Sequence, residues 1–247
     1  MNRLPVLHTK SSKINFLTVQ TGETRNTQSI TKGLKAVINT YTTRGFTITD
    51  LHGDNEFDIT TLKSELQPIN TRIYGTEEHV GVIERSVQTV KEQCRALCHS
   101  LPYKRYTKLI VHSLVENSIY WLNSFPSADG AHNHLSLATI VLGRGKLNFS
   151  KKHIAFGLYA LTFNGTENNM KGRNTPCIAL KPSNKHRGAY FMSLVSGKKI
   201  HAYQWTELPI TDNIIDRVHE LAEEKTNPSY MMVCWFLNGA LILQWWI

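Results

Sequence analysis

The segment Leu51–Phe57, LHGDNEF, follows a predicted strand, and His79–Arg85, HVGVIER, opens a predicted helix. Threonine alternates with apolar residues over 46–51, which is typical of a half-buried strand and places Asp54 just beyond its end. An acid leaving a strand and an acid on a nearby helix can share a divalent metal ion. The arrangement suits phosphoryl transfer on nucleic acid, with Asp54 and Glu84 as candidate catalytic and metal-binding residues, although most Asp and Glu residues merely solvate a surface.

The surrounding pattern predicts an α/β domain followed by a smaller β domain. Short strands are predicted at 4–7 and 14–19, and amphipathic helices at about 30–41, 78–100 and 109–122. Residues 127–150 are typical of a connector, after which short strand candidates alternate with Gly, Asn and Pro up to residue 210. The predicted division is 1–126 for the catalytic core, 127–150 for the connector, 151–210 for the β domain, 211–226 for a helix and 227–247 for an apolar tail of uncertain origin.

The positive charge is concentrated in one segment. The chain carries 28 Lys and Arg against 19 Asp and Glu, a net charge of +9, and residues 146–204 hold ten of the bases but one acid, Glu167. A local excess of this kind indicates a nucleic-acid partner, although a solvated basic surface explains it equally well. The candidate nucleic-acid-binding residues are Lys91, Arg95, Lys171, Arg173, Lys185, Arg187, Lys198 and Lys199.

The cysteines and the C-terminal tail give less information about function than the charge does. The four cysteines form no CxxC pair, which favours a reducing compartment over a disulfide framework. Only Asn238, Gly239 and Gln244 interrupt the apolar run Met231–Ile247. At this length the tail could be a membrane anchor, a packed terminal segment or sequence from outside the original reading frame.

Several motifs in a fixed order resemble one family. The run His-x-Asp-Asn-Glu-Phe at 52–57 and the helix start at 79–85 resemble the second-acid and third-acid segments of the integrase core of copia-like (Pseudoviridae-type) LTR retrotransposons. The similarity continues at five further places: Trp121–Pro126, His153 with Phe156, Gly157 and Tyr159, Gly188–Leu194, Ser196–Lys199 and Trp205–Pro209. It covers about residues 2–224, and separated motifs in the right order are more specific than a single match.

The resemblance implies a fold, an activity and partners. The fold is a ribonuclease H-like mixed sheet with flanking helices, followed by a small basic β domain. The activity is metal-dependent polynucleotidyl transfer for DNA integration, in which a 3′-hydroxyl attacks target DNA and Mg²⁺ or Mn²⁺ is the cofactor. Lys91 matches a position that commonly contacts DNA. The family also implies element ends and target DNA as partners, a homo-oligomer, a location in the nucleus and in cytoplasmic particles, and no membrane association.

One part of the family pattern is missing. The first acid of the integrase triad lies on a central strand a few residues before a segment that Asn2–Pro5 matches, and Met1 begins too late to include it. Neither Glu23 nor Asp50 is placed to replace it. We therefore expect an N-terminally truncated core with weak or absent metal binding, exposed edges beside the missing strand and no catalysis by this chain alone.

Two other functions stay open on the sequence. The first is a non-catalytic nucleic-acid-binding relic that uses the basic segment 146–204. The second is a protein tethered to a membrane by Met231–Ile247.

Overall fold

The computed structural model describes residues 5–22, 26–54, 60–74, 81–145, 154–163, 172–183, 188–224 and 241–246. Within these ranges the side chains of Asp54, Thr61, Tyr74 and residues 241–246 are not described. The strands are β1 Val6–Ser11, β2 Leu17–Thr21, β3 Thr47–Asp54, β4 Asn70–Tyr74, β5 Tyr159–Phe163, β6 Asn174–Pro182, β7 Ala189–Ser193, β8 Lys199–Ala202, β9 Trp205–Glu207 and β10 Leu241–Trp246. The helices are α1 Thr27–Thr42, α2 Thr60–Glu65, α3 Gly81–His99, α4 Lys108–Leu122, α5 Leu137–Leu142 and α6 Asp212–Glu224.

The chain divides into two compact units that are interleaved along the sequence. The mixed-sheet unit comprises 3–92, 119–147 and 234–247, and the antiparallel-sheet unit comprises 1–2, 93–118 and 148–233. The five-part division expected from the sequence is a linear one, and it stays a prediction.

The mixed-sheet unit contains a five-stranded sheet in the order β2-β1-β10-β3-β4. β1 is antiparallel to β2 and parallel to β10, β10 is antiparallel to β3, and β3 is parallel to β4. The sheet is therefore mixed and helices belong to the same unit, so the α/β character expected from the sequence is confirmed. Its central strand was not expected, because β10 comes from the apolar tail.

One face of this sheet packs on a core to which α1, α2 and α5 contribute. Leu34, Tyr41 and Leu62 are fully buried there, together with Leu51 of β3. The Tyr41 ring meets Phe16 edge to face, with the ring centroids 6.1 Å apart. Apolar residues at helical spacing on α1 explain this burial, since Ile30, Leu34, Val37 and Tyr41 lie on one stripe.

The antiparallel-sheet unit contains the sheet β8-β7-β6-β5-β9, in which every neighbouring pair is antiparallel. β8 and β9 lie at opposite ends of this order, yet only Tyr203 and Gln204 separate them in sequence. Three Cα–Cα steps span at most about 11 Å, so the sheet must curl until its two ends approach each other. This curl gives the barrel-like form that the strand pattern favoured, with Phe191, Cys177 and Ala179 in its buried core.

Several local predictions need correction. Helix α2, Thr60–Glu65, was not among the predicted elements. The connector contains α5, whose N-cap is Ser136 and whose C-cap is Gly143 with a positive φ of 60°. Asp54 is the last residue of β3, and it does not lie beyond the strand.

Candidate active site and basic surface

The strand register places Asp54 at one end of the mixed sheet. Lys10, Ile242, His52 and Arg72 form one row across β1, β10, β3 and β4. β1 and β3 run in opposite directions, because β10 is parallel to one and antiparallel to the other. Towards one end of the sheet from this row, the residue two positions along β1 is therefore His8, and the residue two positions along β3 is Asp54. Residues two apart on a strand share a face, so positions 8 and 54 share both an end and a face.

Helix α3 is fixed to this part of the sheet by a buried hydrogen bond. His8 Nε2 lies 2.9 Å from Ser86 Oγ, and both residues are buried. Burial, together with the positive charge of Lys10, lowers the pKa of His8 to about 4, so the imidazole is neutral near pH 7. Ile83 and Val90 bury the same helix against its own unit. The start of α3 is thereby tied to the strand that runs past the Asp54 end of the sheet.

Glu84 lies in the first turn of α3, two residues before Ser86, and is exposed. An acid in the first turn is favoured by the partial positive charge of a helix N-terminus. Asp54 and Glu84 are thus carried by two different elements, β3 and a helix that is tied to β1 near the same end of the sheet. The side chain of Asp54 lies outside the described residues, so its role as a metal ligand stays a prediction, as does that of Glu84.

The donors described at this end do not make up a metal site. Among the described residues, no group of three or more His, Cys, Asp and Glu side chains is placed to hold an ion. Mg²⁺ and Mn²⁺ take several oxygen ligands, and two-metal phosphoryl transfer requires more than a single pair of acids. The central strand adds no carboxylate, because β10 reads LILQWW.

Asp50 is occupied by a different interaction. Its Oδ1 lies 3.7 Å from an Arg72 guanidinium nitrogen on β4, and its side chain is 12% exposed. In the register Asp50 pairs with Asn70 on one side and Gln244 on the other. Asp50 therefore acts as a buried ion-pair partner within the sheet.

The expectation of exposed edges beside a missing central strand is wrong for this chain. β10 pairs with the inner edges of both β1 and β3. The apolar run did not reveal this, because such a run is compatible with a strand, a packed helix or a membrane segment. No helix in the described ranges combines the length and the apolar character that membrane crossing requires.

The predicted basic residues fall into three groups. Lys91 is half-buried and seven residues after Glu84, hence on the same stripe of α3, while Arg95 is exposed further along the helix. Arg173 and Lys198 are exposed in the antiparallel-sheet unit. Lys171, Lys185 and Arg187 lie outside the described residues.

Lys199 is engaged by a cluster that the sequence did not reveal. Glu116 of α4 lies 2.6 Å from Lys181 Nζ and 3.6 Å from Lys199 Nζ. Lys199 Nζ also stands 4.6 Å from the ring centroid of Tyr190. Burial opposes ionisation of Glu116, but the two lysines outweigh it and lower the pKa of this carboxyl. Lys199 is thus only partly available to an outside phosphate.

Aromatic rings continue this cluster along the same sheet. Tyr190 is paired with His201 across β7 and β8, at 5.1 Å between ring centroids, and His201 lies 4.8 Å from Tyr203. Tyr203 is 66% exposed, whereas Phe191 is fully buried. Strand alternation separates the two sets, so some of these aromatics form core and others lie on the surface. Glu116 is the sole acid of α4, and this was the available signal for an ion pair on that helix.

Comparisons with known proteins give structural neighbours only. No protein-family model matches the chain, and no curated protein matches it. The catalytic core domain of BIV integrase aligns with a TM-score of 0.37 and 15% identity, over 57% of this chain and 94% of that chain. A simian T-cell lymphotropic virus intasome in complex with the PP2A regulatory subunit B56 gamma aligns with a TM-score of 0.37 and 10% identity, over 85% of this chain and 83% of that chain.

Proposed function

We propose that the chain is an integrase-type fragment of a copia-like retrotransposon, related to enzymes that join DNA by attack of a 3′-hydroxyl on a target strand. The observation that supports the proposal is the buried His8–Ser86 contact, which ties the start of α3 to β1 at the end of the mixed sheet where β3 reaches position 54. Two acids at one end of a mixed sheet suit phosphodiester chemistry. The copia-like motifs quoted above supply the same assignment independently.

The fragment is proposed to bind DNA without completing the reaction. The described donors do not make up a metal site, and the central strand carries no acid. The chain's residues would then orient DNA and neutralise its phosphates. The proposed contacts are Lys91, which shares one stripe of α3 with Glu84, and the basic residues of the segment 146–204. Assembly of several copies on DNA, and a location in the nucleus or in cytoplasmic particles, belong to the same proposal.

Strand transfer tests the proposal directly. The full chain is incubated with Mn²⁺, a pre-trimmed element end and target DNA, beside a chain extended before Asn2 by the acid-bearing strand of a copia-like integrase. We expect joined product from the extended chain alone, and its loss on Glu84→Gln. Joined product from the original chain would show that its own residues suffice. Product from neither chain, or product from the extended chain that Glu84→Gln leaves intact, would overturn the assignment of Glu84.

The second candidate is a non-catalytic nucleic-acid-binding protein. It is favoured by the exposed Tyr203, whose ring lies 4.8 Å from that of His201, and by the exposed Lys198 directly before β8. Aromatic rings can stack on bases while lysines meet phosphates, without reading sequence. DNA binding that weakens steeply with salt and survives both Asp54→Asn and Glu84→Gln, with no product from the extended chain, would select this function.

A further inference from the structure

The central strand of the mixed sheet comes from the far end of the chain. β1, β2, β3 and β4 all lie within residues 6–74, whereas β10 begins at residue 241. β1 is paired on its outer side with β2, and β3 on its outer side with β4. Their inner edges pair with β10, through three residue pairs on the β1 side and five on the β3 side. Without β10 the sheet would consist of two separate two-stranded ribbons, which are marginally stable in water.

The gap between β1 and β3 has the properties of a binding site for an extended peptide. Two facing edges offer rows of backbone N–H and C=O groups, and such edges recruit another strand. One edge takes its partner in parallel and the other in antiparallel orientation, so the two together fix the direction of the occupant. With β10 in place, Leu51 of β3 is fully buried and His52 is 5% exposed.

The occupant matches such a site in chemistry. The sequence LILQWW carries no charge, and Ile and Trp favour strands. An uncharged segment can enter a buried position without the desolvation cost of an ionised side chain. Because the segment belongs to the same chain as the two edges, its pairing does not depend on the protein concentration.

We propose that the gap between β1 and β3 is a β-strand-binding site whose ligand is the chain's own C-terminal segment, Leu241–Trp246. The segment acts as an intramolecular peptide ligand that completes the sheet carrying Asp54. The site accepts the same uncharged strand from solution once the tethered copy is prevented from pairing. This inference concerns peptide binding, and it holds whether or not the chain acts on DNA.

A disulfide placed in register tests the occupant in the full chain. Thr47 is exposed and pairs with Trp246, so Thr47→Cys with Trp246→Cys brings two thiols within bonding range. The control combines Thr47→Cys with Leu241→Cys, five residues along the same strand and about 16 Å away. Both carry Cys98→Ser and Cys234→Ser, while buried Cys94 and Cys177 are kept.

We expect the in-register pair to oxidise within single chains about tenfold faster than the control pair. Equal rates for the two pairs would overturn the proposed site. A disulfide that joins two chains would overturn the assignment of the ligand to the same chain, since the strand would then come from a second copy.

A peptide added in trans tests the site itself. In full-length Gln244→Pro the tethered strand loses its central backbone donor and cannot pair as before. The probe is a fluorescent synthetic LILQWW flanked by lysines, and the control probe has Pro in place of Gln. We expect one peptide to bind per Gln244→Pro chain, with at least about tenfold weaker binding to the unmodified chain, whose gap is filled. Equal binding to both chains, or equal binding of both probes, would overturn the proposal; should Gln244→Pro not fold, the disulfide pair decides.

Discussion

The two sheets of this protein are assembled in opposite ways. In the antiparallel-sheet unit, β5, β6 and β7 each pair with the next strand along the chain, and β9 returns to pair with β5. In the mixed-sheet unit, the strand at the centre arrives 167 residues after β4 ends. Sheets built from neighbouring strands close short loops, whereas a sheet completed by a distant strand must close a long one.

This difference teaches where the fold is vulnerable. Loss of an edge strand leaves the remaining antiparallel ladder intact, but loss of β10 removes two interfaces at once. The candidate acid Asp54 lies on the strand that depends on β10, whereas the Glu116 cluster lies in the unit that does not. We therefore expect changes to β10 to have far larger effects than changes at the edges of the other sheet.

The largest effect should come from Gln244→Pro. Proline removes a backbone donor from a central strand and restricts the chain on both sides, so we expect a loss of about 3 kcal/mol or more of unfolding free energy. Chemical denaturation followed by far-UV circular dichroism measures it. The loss should be confined to the mixed-sheet unit, which hydrogen exchange resolves.

The matched control is Glu207→Pro in the edge strand β9. The Phe163 N–H donates to Gln204 O at 3.1 Å and the Leu208 N–H donates to Tyr159 O at 3.1 Å. Hydrogen-bonded residues alternate in an antiparallel pair, so the N–H of Glu207 turns away from β5. We expect a change of less than about 1 kcal/mol. Equal losses for the two prolines would contradict the contrast between the sheets.

Acid should destabilise the mixed-sheet unit through His8. The pKa of this imidazole is about 4 in the folded chain against 6.5 when exposed, so the unfolded state takes up the proton first. The stability contributed by the neutral, buried ring is complete above pH 6.5 and is lost as the pH falls towards 4. Between pH 6.5 and pH 4 the free energy of unfolding should therefore fall by about 3 kcal/mol. Denaturation midpoints measured from pH 7 to pH 4 should show this slope.

The variant His8→Gln tests the assignment, because its amide can still contact Ser86 but does not titrate. We expect a lower stability at pH 7 and a shallower slope between pH 6.5 and 4. His134→Gln, at an exposed position of the same unit, should keep the original slope. An unchanged slope in His8→Gln would assign the acid sensitivity to other groups.

Local structure followed from the sequence wherever side-chain periodicity was sufficient to define it. A helix was expected at 211–226, and α6 spans Asp212–Glu224, because its apolar residues recur at helical spacing after Pro209. The short helices α2 and α5 were missed, since six residues are too few to establish a helical period. The mixed α/β character of the first unit also followed from the order of strands and helices.

Long-range partners could not be obtained in this way. The sequence LILQWW does not identify β1 and β3 as its neighbours, because backbone edges pair without regard to side-chain identity. The same limit applied to the candidate site. Motifs indicated Asp54 and Glu84, but the His8–Ser86 contact that ties α3 to β1 joins residues 78 positions apart. The ion pairs of Glu116 could not be predicted either, since its two lysine partners come from other elements.

A smaller loss is expected for Glu116→Gln in the antiparallel-sheet unit. The change leaves the side chain of Lys181, which is 13% exposed, without its counter-charge. We expect a loss of about 1–2 kcal/mol at pH 7, because a largely buried charge then lacks its partner. The folded pKa of Glu116 is lowered, so its contribution is present above the unfolded value of 4.5 and is lost as the pH falls below that value. The difference between the two proteins should therefore shrink in acid.

The exposed pair of Arg217 and Glu220 provides the control. Their side chains are 33% and 60% exposed, and solvent screens such pairs. Glu220→Gln should leave the denaturation midpoint unchanged at both pH values. A comparable loss in this variant would mean that Glu116 owes its effect to surface charge and not to burial.

The smallest effect on stability, and the most specific effect on function, is expected for Lys198→Ala. Lys198 is exposed beside β8, so its removal should leave the unfolding free energy within about 0.5 kcal/mol. If it meets a phosphate, the slope of log affinity for DNA against log salt should fall by about 0.7–0.9, since one fewer counterion is released. Lys32→Ala, exposed on α1 of the other unit, removes the same charge and should leave that slope unchanged. Equal changes in both variants would mean that net charge, and not this surface, governs the binding of DNA.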